Sequence, residues 1–177
     1  MVTATLSGGD KLEQKLAEIA ARVARPATLR VGFLEGATYP DGTSVPMIAA
    51  LMNFGSPAGK IPARPFFSKM IAEKAPGWGK ILADLLEAND WDVNKCLALM
   101  GTGIAGQLRQ AIVDMNEPAN SPVTALLKNR FPMGDYGPED VWQAYSDAAA
   151  GLGDGLPSKP LVWTGTMLNS VDYEVAG

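Results

Sequence analysis

Side chains able to do chemistry are few in this chain of 177 residues, and their spacing does not favour it. Histidine is absent. That removes the commonest general base, the Ser/Cys–His–acid triads and every His-ligated metal site. Cys96 is the only cysteine, so neither an intrachain disulfide nor a cysteine metal cluster can form. It sits beside a helical apolar stripe and reads as a small buried hydrophobe rather than a nucleophile. Carboxylates, serine and lysine remain. Asp84, Glu87, Asp90 and Asp92 gather around one expected helix end. An acid/base pair needs two carboxylates in a cleft with pKa values pushed apart. Asp84 and Glu87 fall opposite the apolar stripe of their helix, so a solvated face accounts for them. Ser68 and Lys69 are adjacent and diverge around a helix, so they form no dyad. Asp135, Glu139 and Asp140 match no calcium-loop spacing, and capping of a helix near 139 explains them. The expectation is a protein with no catalytic residue, no metal site and no cofactor.

Composition points the same way. Lys and Arg number 15 against 19 Asp and Glu, for a net charge of -4, which disfavours a broad nucleic-acid surface held by charge. The 47% hydrophobic content is enough for a core, while 19% charged residues falls below the usual ~25%. Gly (19) and Pro (13) exceed their usual share, so long loops around a modest core are expected. Trp78, Trp91, Trp142 and Trp163 are scattered outside any basic patch and suit core or interface positions better than base stacking. The start, MVTATLSGGDKLEQ, has neither a basic n-region nor an apolar h-region, and no apolar run approaches ~18 residues. A single-domain, soluble product of the cytoplasm is the expectation.

The elements that would carry these residues follow from periodicity. Leu12, Leu16, Ile19, Ala20 and Val23 recur at helical spacing over 11–25, after Asp10 as a cap and before Pro26 as a stop. Residues 28–34 alternate as a strand with Leu29, Val31 and Phe33 on one face. Pro40-Asp41-Gly42 marks a turn, a hairpin tip or a loop. Val45 to Phe54 reads as a helix opened by Pro46 and closed by Gly55. A helix opens at Phe66, is broken by Pro76, and is followed by another over 78–88. Residues 93–115 carry the strongest helical stripe, Leu97, Met100, Ile104, Leu108, Ala111, Ile112 and Met115. Gly101, Gly103 and Gly106 inside it suit close packing or a kink; a phosphate-cradling loop is the alternative, though no Gly-Lys-Ser/Thr follows. A short helix from Ser121-Pro122 through Leu127 precedes a Gly/Pro-rich stretch, 132–158, in which only 139–150 is helical. That stretch is either an ordered arm that packs on a partner or a mobile insertion. A terminal strand, 170–175, alternates on Val171, Tyr173 and Val175. The fold class expected is α+β: a small, mostly antiparallel sheet packed by the 11–25 helix and the long 93–115 helix, with a Gly/Pro-rich arm.

Two segments have a different character. In Asn53-Phe54-Gly55 followed by Ile61-Pro62-Ala63-Arg64-Pro65-Phe66-Phe67, a short helix, a Gly stop and a proline-restrained link lead to an aromatic pair. Arg64 stands between two residues of fixed φ and presents its side chain in a defined direction. A structural bend and an inter-subunit contact remain equally open there. Lys159 to Val171, KPLVWTGTMLNSV, is an extended apolar run meeting a Thr-Gly turn and a short helix.

These residues resemble the tail-completion and virion-morphogenesis proteins of tailed bacteriophages, which are neck, head–tail joining or tail components. The positions that carry the resemblance are Phe54, Gly55, Arg64, Pro65 and Phe66, then Leu161, Thr164, Gly165, Leu168 and Ser170. Arg30 to Gly36 fits in order ahead of them, and Ser121-Pro122, Thr124 and Lys128 resemble the stretch often found upstream of the late motif. Trp163 stands where that family often carries an acidic residue. The resemblance implies a structural virion protein: a homo-oligomeric ring, commonly of six, at the neck or head-proximal end of the tail. Such a ring joins or terminates the tail tube and lets DNA pass without specific binding. Its partners would be copies of itself, the tail tube protein and neck or connector proteins, with no membrane involved and the virion as its location. A head-closure or adaptor component is the alternative within this class. A small enzyme or a ligand-binding module are the alternatives outside it. Phe54, Arg64, Phe66, Phe67, Trp142 and Trp163 are the expected inter-subunit or partner contacts, with 132–158 as a docking arm.

Overall fold

The computed structural model describes residues 9–24, 26–33 and 35–177. Residues 1–8, Arg25 at the expected end of the first helix and Leu34 at the expected end of the first strand lie outside the described residues.

The fold is α+β, with seven helices and one two-stranded antiparallel sheet among the described residues. Helix α1 covers Gly9–Val23 and strand β1 covers Thr28–Phe33. Strand β2, Val171–Ala176, closes the described chain and pairs with β1 in a register that sets Val31 opposite Tyr173 and Phe33 opposite Val171. Around Pro40-Asp41-Gly42 the chain forms a turn pinned by one bridge, Thr38 to Ser44, and adds no third strand to the sheet among the described residues. Tyr39 and Gly42 close it with backbone hydrogen bonds, and the Asp41 carboxylate accepts from the Thr43 amide.

Helix α2, Val45–Phe54, starts where Ser44 caps the Met47 amide and Pro46 fits the first turn. It ends at Gly55, whose φ of 75° puts its backbone against residues 61–63; a Cβ there would lie 2.7 Å from the Ala63 nitrogen. Helix α3 runs unbroken through Phe66–Ala88, so the expected break at Pro76 does not occur. Proline frees the carbonyl one turn earlier, at Ala72. Ala72 and Pro76 both face solvent, where water satisfies that carbonyl.

Helix α4, Val93–Asp114, is capped by Asp92 through the Lys95 amide and packs along α3 and across both strands. Its stripe delivers Ala105, Leu108 and Ile112 to the main core, where Val45, Phe66, Met70, Met167 and Val171 meet them. Gly101 marks its contact with the sheet, lying directly beneath the Tyr173 ring and Leu29, which decides for close packing among the readings of that glycine. Cys96 is fully buried and donates to the Leu85 carbonyl, tying α4 to α3 as a core residue. By contrast, α1 buries none of its residues, so the expectation that it packs on the sheet is wrong: Leu12 is 63% and Leu16 57% exposed. The amphipathic pattern forms the helix, but no described element covers its apolar face. Arg22 donates to the Asp90 carbonyl and tethers it.

Helices α5 (Pro122–Arg130) and α6 (Pro138–Ala149) pack on each other and build a second, smaller core of Leu126, Leu127 and Ala144. The 132–158 stretch therefore folds back on α5 instead of projecting. The short helix α7, Thr166–Asn169, leads into β2.

Candidate functional site

A groove of ≈ 1030 Å³ opens where six stretches of the chain converge. One wall is the 39–43 turn with α2 and the Lys60–Arg64 link. The facing wall is the start of α5 with the Leu161–Met167 run, and Met133 to Tyr136 closes one side. Arg64, Ser121, Thr124, Lys128, Leu161, Thr164 and Gly165 all line it. These belong to three stretches read separately in the sequence as bearing a resemblance, and the fold brings them side by side.

Arg64 is only 6% exposed, which corrects its reading as a surface contact. The paired prolines do aim the side chain, but inward. Its Nε donates to the Pro118 carbonyl at 2.9 Å and an Nη to the Ala119 carbonyl at 3.2 Å, so it clasps the linker ahead of α5. Its backbone amide donates to the Met52 carbonyl at 2.7 Å. Burial lowers the guanidinium below its ordinary pKa, and no carboxylate pairs with it among the described residues.

Lys128 is the second cation of the groove. Its Nζ donates to the carbonyls of Lys159, Pro160 and Val162 and lies 5.6 Å from the centre of the Trp163 ring. All three N–H donors are thereby spent on an extended segment that has no strand partner of its own. Burial, reinforced by the Arg64 charge, lowers Lys128 to about 8. It remains a cation at neutral pH.

Aromatic rings complete the groove. Trp163 is half-buried, donates its Nε1–H to the Phe131 carbonyl at 2.8 Å, and stacks on Tyr136 with ring centres 5.2 Å apart. Tyr39 stands on the opposite wall, its pKa raised by burial and then by the nearby Asp41.

The other expected contact residues divide. Phe66 is 1% exposed and packs in the core between Phe33 and Phe67, so it cannot meet a partner; opening a helix after proline buried it instead. Phe67 is half-buried against the same cluster, beside Gly32. Phe54 (74% exposed) and Trp142 (75% exposed) stand out from the surface. Ser68 and Lys69 do diverge: Ser68 meets the Asn53 side chain, whereas Lys69 pairs with Glu73. Asp84 pairs with Lys80 in solvent. Asp140 caps the Gly137 amide at the start of α6. Among the described residues no group of three His, Cys, Asp or Glu side chains could hold a metal ion, and no helix is long and apolar enough to cross a membrane.

Two residues with structural weight escaped the sequence reading. Asn53 is buried and accepts with Oδ1 from the Phe67 and Ser68 amides, both at 3.1 Å, capping α3 from another helix. Nothing local marks it, because its partners lie in the next element. Lys128 as a clamp was equally silent, since backbone carbonyls leave no sequence signature. Compared with family models, curated proteins and solved structures, the chain gives no match.

Proposed function

We propose that this chain is a non-enzymatic structural protein of a tailed-phage virion. In this reading it is a subunit of a ring at the neck or head-proximal end of the tail, joining or terminating the tail tube while DNA passes through. The observation that carries the reading is spatial. The stretches that resemble tail-completion proteins lie up to about a hundred residues apart, yet Arg64, Ser121, Thr124, Lys128, Thr164 and Gly165 share one groove.

The surface supports the same reading. Leu12, Leu16, Met47, Phe54, Met133, Trp142 and Tyr145 are all more than half exposed. Leu12 with Leu16 on α1 and Trp142 with Tyr145 on α6 are neighbours on their helices, the kind of exposed apolar pair that a neighbouring subunit would cover. Ring subunits bury such surface on assembly.

The test is the mass of the purified chain by light scattering, followed by negative-stain imaging alone and with tail tubes. Rings, or caps at one end of the tubes, are expected. A persistent monomer that never joins a particle would overturn the reading.

A further inference from the structure

A sheet of two strands has two outer edges, and the hydrogen bonds of this one show which groups lie on them. The Tyr173 amide donates to Asp172 Oδ1 at 2.8 Å instead of to β1, and the Val171 carbonyl accepts from an Nη of Arg109. In an antiparallel ladder, facing residues alternate between pairs that exchange both backbone bonds and pairs that exchange none. Val31 faces Tyr173 and Phe33 faces Val171, so these pairs exchange none, and neither does Leu29 with Val175. The backbone N–H and C=O of Leu29, Val31 and Phe33 therefore point away from β2.

The two edges differ. On β2, the chain's own side chains occupy the outward Tyr173 amide and Val171 carbonyl. On β1, no group among the described residues bonds to the outward N–H and C=O of Leu29, Val31 and Phe33. Edge strands are commonly blunted by lysine, proline or a bulge. Thr28–Phe33 contains none of these, and its one charged residue, Arg30, pairs with Glu174 of the same sheet. The open edge is also self-complementary. A two-fold axis through Val31 sets Val31 opposite Val31 of a second β1 and Leu29 opposite Phe33, so every outward N–H meets a carbonyl. On one face the half-buried row of Leu29, Val31 and Phe33 then continues across the axis. On the other face Arg30 lies opposite a glycine, Gly32. Centring the pair on Arg30 would instead set two arginines directly opposite, which a sheet disfavours.

We infer that β1 pairs antiparallel with β1 of a second copy of this chain, making one four-stranded sheet in the order β2, β1, β1, β2 across a two-fold axis. The contact is isologous, so by itself it closes at a dimer. It goes beyond the proposed function and does not rest on it, because a cyclic ring needs a head-to-tail contact elsewhere on the surface.

Proline at position 31 tests it, because an edge strand tolerates proline where its N–H points outward. Val31→Pro removes the donor at the axis from both strands, whereas Val31→Ile keeps it on a β-branched residue. Circular dichroism and thermal unfolding verify that both fold, and sedimentation equilibrium reads the association. Wild type and Val31→Ile are expected to dimerise alike, and Val31→Pro about tenfold more weakly or worse. Hydrogen exchange of the wild-type chain decides the matter should Val31→Pro fail to fold. Amides in peptides covering 28–33 are expected to exchange more slowly in concentrated than in dilute protein. Exchange there that ignores concentration, or a folded Val31→Pro chain that associates undiminished, would overturn this contact and leave the ring standing. Wild-type protein that stays monomeric overturns both.

Discussion

A methyl group on Gly101 would sit 2.5 Å from Tyr173 Cδ2 and 2.9 Å from Leu29 Cδ1. Those atoms belong to the two paired strands, which cannot both retreat. Gly101→Ala therefore loses about 1–3 kcal/mol of stability to overpacking, more than the ~1 kcal/mol that alanine returns to a helix interior. Gly103 and Gly106 have open space where a Cβ would go. Alanine at either raises stability by about 0.5–1 kcal/mol. Urea unfolding of the three variants separates them by sign. Lys128 makes a prediction in pH. Its folded pKa of about 8 lies below the ordinary 10.5 of the unfolded chain. Between those values the unfolded state holds the extra proton, so stability rises with pH from about 8, by less than about 1.4 kcal/mol per unit. Tyr39, whose folded pKa is raised by burial, opposes this gain once the unfolded chain begins to lose the tyrosine proton. Lys128→Met abolishes the rise while lowering stability at neutral pH, because three carbonyls lose their donor. Chemical denaturation at pH 7, 8, 9 and 10 reads both effects.

Among the elements, α3 shows how one helix depends on another. Its first residue follows Pro65, which gives no side-chain cap, and Asn53 of α2 supplies in its place one acceptor, Oδ1, that takes two amides. Asn53→Ala costs about 1–2 kcal/mol, the range for a lost cap, because the Phe67 and Ser68 amides lose their acceptor. Asn53→Asp keeps the acceptor for both amides, loses the bond from Nδ2 to Ser68 Oγ and adds the cost of a buried carboxylate, so it falls below wild type in thermal unfolding. This dependence also marks what was legible in advance. The stripe of α4 was, because Leu97 to Ile112 repeats at a period no other element imitates. The strand pair was, because alternation at Leu29 to Phe33 and Val171 to Val175 has a single structural meaning. Arg64 and Phe66 were misplaced because local rigidity fixes a direction but not what lies along it; the Pro118 and Ala119 carbonyls are more than fifty residues further on. Pro76 misled because proline breaks a helix only where the freed carbonyl is starved of water. The groove itself had no local signal. It exists only once the Lys60–Arg64 link, the α5 start and the Leu161–Met167 run are stacked.

Across the whole molecule, two cores hold the chain and α1 belongs to neither. A helix of 15 residues is marginal on its own, since tertiary packing supplies most helical stability. The Arg22 bond to the Asp90 carbonyl tethers α1 but covers none of the Leu12–Leu16 face. In the isolated monomer, α1 amides should therefore exchange with solvent far faster than those of α4, whose buried face includes Leu108 and Ile112 at 0% exposure. Under the proposed ring assembly, a neighbour that covers this face raises the protection of α1 while that of α4 stays constant. Hydrogen exchange followed by mass spectrometry, at concentrations on either side of assembly, measures both. The double variant Leu12→Glu with Leu16→Glu should leave the unfolding free energy within about 0.5 kcal/mol of wild type, as for exposed positions generally, yet abolish the gain in protection. If α1 were already as protected as α4 in the monomer, its apolar face would have a partner within the chain. If α1 stayed unprotected in the assembled state, the ring would have to be held by other surfaces.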